Sequence, residues 1–221
     1  MFESLAQAFE KGGWGMYPIT VCSIFILAIA AERIQYLFFK ASISKDAFIQ
    51  AMRKYILAGN VGKALALCSQ TPTPLANIVK SGLVKVNKSD SEVQAAMDES
   101  SLREMPRIEK RTAYLAMLAN VAMLAGLLGT ISGLITCFGA VAVADPAEKA
   151  TQLALGISEA MHCTAFGLLT AIPGLLFFGV LQGKTQHLMD DINESSVAVL
   201  NLIVTNRDKL DLSTLGAARE E

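Results

Sequence analysis

Charge is what this sequence has least of. Of its 221 residues 18% are charged, where a soluble domain carries about 25%. Hydrophobic residues make up 52%, and the mean hydropathy is +0.43. Histidine is nearly absent, with only His162 and His187. There is no P-loop, no dinucleotide fingerprint and no cluster of metal ligands, so an enzyme is the least expected class and no cofactor is called for. The formal net charge of -1 shows no basic excess, and no nucleic-acid partner is expected. The four cysteines show no paired spacing. Cys22, Cys137 and Cys163 lie in apolar runs and Cys68 in a polar region, which reads as buried thiols rather than a disulfide or metal framework. The first residues lack the basic stretch and small-residue cleavage site of a secretory signal, so the apolar run that follows is expected to be a retained span.

What is present is three long apolar runs, the mark of an all-α integral membrane protein in a lipid bilayer. A membrane helix needs roughly 20 apolar residues. The spacing predicts spans over 16–39, 113–144 and 160–182. The second is longer than a bilayer requires and must tilt or protrude. Bases outnumber acids between Lys40 and Arg111, whereas the loop between spans two and three has only Lys149 and the amino-terminal stretch only Lys11. The positive-inside rule therefore makes 40–112 and 183–221 cytoplasmic, and puts 1–15 and the 145–159 loop outside.

The 40–112 segment reads as short helices. Ser44 is placed to cap one that ends at Gly59-Asn60, and a second stops at the prolines of Thr71–Pro74. Ser89 with Glu92 resembles a capping box opening a helix that runs on toward span two, with Pro106 as a kink. Leu188, Ile192, Val199 and Leu202 recur at helical spacing, so span three is expected to continue as an amphipathic helix, with a frayed tail after Asp208. No repeat and no soluble second domain is expected.

Polar groups inside spans are costly in hydrocarbon and are the first candidates for function. Span two holds LLGTISGL, in which Thr130 lies beside a small-residue face of Gly126, Gly129 and Gly133; Gly129 and Gly133 form a GxxxG pair. Thr130 either bonds back to its own helix or lines a polar path. Span three holds GISEAMHCTAFGLLTAIPG, with Glu159, His162, Thr164 and Pro173. Glu159 and His162, three apart, share a face. Glu159 suits proton handling or a structural ion pair equally, and His162 is more often a satisfied hydrogen-bonding group than a proton carrier. Three spans enclose a pore poorly, so a wet path calls for a ring of copies and a second ionisable group from a partner helix.

These two stretches resemble the second- and third-span motifs of the ExbB/TolQ/MotA proton channel family, ExbB/TolQ more than MotA. Gly-Ile-x-Glu-Ala leads to Thr-Ala-x-Gly-Leu and then Ala-Ile-Pro; Glu32-Arg33 at the inner end of span one also fits. Ser132 departs from a frequent tryptophan, and Leu155 from a frequent proline. The resemblance implies a homopentameric ring in a bacterial inner membrane, amino terminus periplasmic. Its second and third helices would line a pore around single-span ExbD/TolR/MotB-like partners, each with a membrane aspartate. It implies that Thr130 and Thr164 face that aspartate and that Glu159 stands at the subunit interface or channel mouth. The rival expectations are a non-conducting oligomeric scaffold and, further off, a small-solute transporter.

Overall fold

The computed structural model describes residues 12–41 and 45–207. A 3-10 turn at Gly13–Gly15 leads into α1 (Met16–Gln35), which closes in one π turn, Tyr36–Lys40. The rest of the described chain is α2 (Lys45–Leu57), α3 (Val61–Gln70), α4 (Pro74–Val84), α5 (Asp90–Glu109), α6 (Thr112–Val143) and α7 (Lys149–Thr205). Three stretches are long and apolar enough to cross a membrane, within 13–39, 90–143 and 149–205. At 1.5 Å per residue, α7 is about 85 Å long, far more than the roughly 30 Å hydrocarbon core needs.

Two boundaries differ from the sequence reading. The expected outer loop 145–159 is mostly helix, because Asp145 starts α7 early: its carbonyl accepts from the N–H groups of Glu148 and Lys149. The expected continuity into span two is also broken. α5 ends at Glu109, and Arg111 takes a left-handed conformation (φ 68°) before α6 begins. Pro106 is accommodated inside α5. A non-glycine residue rarely adopts positive φ. Here the Arg111 side chain is held by Glu32 of α1, with Nη1 2.6 and 2.7 Å from the two carboxylate oxygens.

The chain divides into two compact units. The first contains residues up to Arg33 together with Arg111–Leu181. Its centre is Ile19, Cys22 and Ala122, packed by Leu118, Ala125 and Phe166. Large apolar side chains such as Phe25, Leu128, Ile135 and Leu176 point outward, as expected of a surface solvated by lipid or by other helices rather than water.

The second unit comprises Ile34–Lys110 and the chain from Gln182. It buries its own core, including Phe48, Met52, Ile78, Leu83 and Met97. Its helices start and stop on local signals. Asn60 accepts from the Lys63 N–H, Thr73 from the Ala76 N–H with Pro74 in the first turn, and Ser89 from the Glu92 N–H. Gly59, at φ 72°, ends α2 with the positive φ that a glycine terminator supplies cheaply. Ser44, the expected cap of α2, and the expected tail after Asp208 lie outside the described residues. The extension of α7 is amphipathic as the spacing predicts: Leu188, Ile192 and Val199 are buried. The stripe closes on Ile203 rather than on half-buried Leu202. Lys45 of α2 reaches Asp191 (2.9 Å) and Glu194 (2.6 Å) on α7. The hydrogen bond to Glu194, then that to Asp191, raises the Lys45 ammonium well above its ordinary range; the same Lys45 bond lowers Asp191. All four cysteines are buried and free.

Candidate functional site

Glycine makes the site possible. α6 and α7 approach so closely that a Cβ on Gly126 would lie 3.0 Å from the Cys163 carbonyl oxygen and 3.2 Å from Gly167 Cα. A Cβ on Gly129 would lie 3.0 Å from Cys163 Cβ and Sγ, and one on Gly133 3.4 Å from Ala160 Cβ. The three glycines singled out by sequence therefore form one continuous seam against α7, as small residues do where membrane helices pack by shape rather than by hydrophobicity.

Along that seam sit the two threonines. Thr130 Oγ1 is 3.0 Å from the Gly126 carbonyl of its own helix and 3.1 Å from the Ala160 carbonyl of α7, and it hydrogen-bonds the Thr164 hydroxyl. A hydroxyl carries one proton and two lone pairs. If Thr130 donates to a carbonyl, Thr164 donates to Thr130; if Thr164 gives its proton elsewhere, Thr130 turns toward Thr164. The pair can thus exchange donor and acceptor roles without losing its mutual bond. Thr130 bonds back to its own helix, the first of its two sequence readings, and also across to α7.

The other candidates separate. Glu159 is exposed on α7, with its Oε1 against Gly13 of the amino-terminal turn. His162 is half-buried and instead lines a shallow groove of about 440 Å³ with Ser158, Met161 and Ala165, so the shared face does not bring it into Glu159's surroundings. Pro173 lies on an exposed face of α7, while its neighbour Gly174 takes the close contact, where a Cβ would be 3.1 Å from Ala119 Cβ. Among the described residues, no group of three or more His, Cys, Asp or Glu side chains is placed to hold a metal.

Three features escaped the sequence reading. The Cys163 thiol donates to the Gly12 carbonyl at 2.8 Å, tying the start of the described chain to α7. Gly15 meets Gly129 and Cys163, where its Cβ would lie 3.0 Å from Gly129 Cα. The GGWG run before span one was the available signal for both. Asn120 is the third, an amide on the exposed face of α6 inside an apolar run.

Three helices long and apolar enough to cross a membrane, two of them joined by a polar pair on a glycine seam, mark a polytopic helical membrane protein. The sequence profile of the MotA/TolQ/ExbB proton channel family matches residues 70–194, more than half of the chain, and the chain belongs to that family. It is 29% identical over 192 residues to a putative biopolymer transport protein ExbB homolog of Methanothermobacter thermautotrophicus, covering 86% of this chain and 67% of that protein. It is 26% identical over 227 residues to the biopolymer transport protein ExbB of Salmonella typhimurium, covering 93% and 91%. A shorter stretch of 96 residues is 34% identical to the Tol-Pal system protein TolQ of Haemophilus influenzae, covering 43% and 42%. Among solved structures the fold is similar to that of C. jejuni MotAB, at a TM-score of 0.57 and 17% identity, over 92% of this chain and 77% of that one.

Proposed function

We propose that this chain is the proton-conducting ring subunit of a bacterial inner-membrane motor, converting ion-motive force into mechanical work through a single-span partner of the ExbD/TolR kind. The observation that carries it is the Thr130–Thr164 hydroxyl pair on the glycine seam of α6 and α7. Copies assemble as a homopentamer whose α6 and α7 line the central pore. The partner's membrane helix stands inside with an aspartate facing the hydroxyls. The exposed amide of Asn120 supports such an assembly, since an amide facing lipid has no partner whereas one facing another helix has. Residues before span one and the turn between α6 and α7 are periplasmic; the second unit is cytoplasmic.

A proton entering from outside passes Glu159 and neutralises the partner aspartate. Neutralisation removes the charge's cost in a low-dielectric pore and lets the partner helix step to the next subunit. The membrane potential supplies about 2.3 kcal/mol per charge per 100 mV, enough to bias the step. Two experiments bear on this. Gentle purification with counting of co-purifying chains should return a stoichiometric partner with one amino-terminal span bearing an aspartate. Thr164→Val should abolish proton flux and motor output while assembly persists. Normal output from that variant removes the hydroxyl from the mechanism.

The second reading is a non-conducting oligomeric scaffold. One observation favours it: the Thr130 hydroxyl finds carbonyl acceptors within its own protomer, so its polarity is already accounted for by packing. Under that reading Thr130→Val and Thr164→Val lower stability and leave no flux to lose.

A further inference from the structure

The turn at residues 12–15 has no part in the function above, yet it meets the seam at three points. Gly15 packs tightly, since its Cβ would lie 3.0 Å from Gly129 Cα and 3.1 Å from Cys163 Sγ. The Cys163 thiol donates to the Gly12 carbonyl at 2.8 Å. Between these two, the Glu159 carboxylate occupies the space that a Cβ on Gly13 would need. Glu159 and Cys163 are four apart and share one face of α7, so the turn lies along that face. Gly13 is required twice over. Its φ of +63° favours glycine, and the missing side chain leaves the berth for the carboxylate. The Met16 N–H closes the turn onto the Gly13 and Trp14 carbonyls, so its shape is set by its own backbone.

A free glutamate at a helix surface samples many rotamers. One seated on a closed turn that is itself fixed to α6 and α7 samples few. We propose that the Gly12–Gly15 turn holds the Glu159 carboxylate at the outer end of the α6–α7 seam, with Gly13 as a positioning residue for it. The proposal rests on the reading of Glu159 as a group on the ion path.

The test is proton flux through the complex of this chain with its co-purifying partner, reconstituted in liposomes. Glu159→Gln should abolish flux. Gly13→Ala should lower it about tenfold with complex yield unchanged, because the added methyl displaces only the flexible end of Glu159, and misplacing a working group by about 1 Å carries losses of this order or more. Adding Glu159→Asp to Gly13→Ala should restore flux to that of Glu159→Asp alone, since the shorter side chain clears the methyl. A purely structural role for the turn gives no such rescue. Should Gly13→Ala lower complex yield, Gly13→Asn replaces it with the same expected order, as asparagine visits the left-handed region more readily. Native flux in Glu159→Gln overturns both the path reading and the positioning. Impaired Glu159→Gln with native-like Gly13→Ala or Gly13→Asn, or a double variant no better than the single, overturns the positioning and leaves Glu159 on the path.

Discussion

The hydroxyls of Thr130 and Thr164, which are 34 residues apart, hydrogen-bond across the α6–α7 seam. They do so beside Gly126 and Gly129, where a Cβ would come within 3.0 Å of α7, so the pair is held by backbone proximity rather than by long side chains. A polar pair held this way has its position fixed by the two helices.

Gly126 and Gly139, both in α6, make a matched test of the seam. A Cβ on Gly126 meets backbone atoms at 3.0 and 3.2 Å, which yield only if the helices separate, whereas nothing lies within 4 Å of one on Gly139. Gly126→Ala should lose about 1–3 kcal/mol, the usual cost of overpacking. Gly139→Ala should melt within error of the native protein in detergent. Equal melting of the two variants would contradict the packing.

Gly15→Cys should pair with native Cys163. The Gly15 Cβ position is 3.1 Å from Cys163 Sγ, close to the roughly 3 Å between a Cβ and the far sulfur of a disulfide. Mild oxidation should yield a cross-linked peptide joining the two sites in mass spectra, absent when Cys163 is replaced by serine. No cross-link under forcing oxidation would mean that the turn does not sit on α7.

The Lys45 bridge to Asp191 and Glu194 should be insensitive to pH across the neutral range. Asp191 is held below its ordinary value of 3.8, so its contribution is complete above that pH and is lost as pH falls through the lowered native value. Lys45 is held above its ordinary 10.5, so its share is complete below that pH and is lost as pH rises through the raised native value. Lys45→Met should therefore lower the melting temperature by a constant margin between those limits, and the margin should shrink in stronger acid. A margin that varies through the neutral range would implicate His187, whose Nε2 lies 3.6 Å from the other Asp191 carboxylate oxygen.

Cys68 should resist alkylation in the folded protein. Burial pushes its thiol up to about 12 from 9.0, with Lys80 opposing, so its thiolate fraction at neutral pH is about a thousandfold smaller than that of an exposed thiol. In a variant retaining only this cysteine, maleimide labelling should wait for unfolding. Rapid labelling under native conditions would show that the second unit opens readily.

Much of this architecture was legible in the linear chain. Span one and span two fall within a residue or a few of α1 and α6, because about 20 uncharged apolar residues have few other stable settings. The Ser89 cap, the stop near Gly59 and the apolar stripe of the α7 extension are local devices, each read from residues within two turns of one another. The early start of α7 was hidden because alanine-rich polar sequence is equally at home in a loop or a helix end. The break at Arg111 was hidden because nothing local demands it: a left-handed arginine is strained by itself, and here its side chain meets a glutamate 79 residues away.

The sequence by itself determined that the chain carries three runs long and apolar enough to cross a membrane, buries its cysteines as thiols, and places threonines and glycines inside two of those runs. Hydropathy and helical period operate over a few turns, so these properties need no knowledge of what packs where. Only the tertiary structure decided that Thr130 meets Thr164, that Glu159 faces Gly13 while His162 turns to a separate groove, and that the Cys163 thiol holds Gly12. Those pairings depend on how far each helix is rotated and how closely the backbones approach, and that is settled by the sum of contacts between segments 30 or more residues apart.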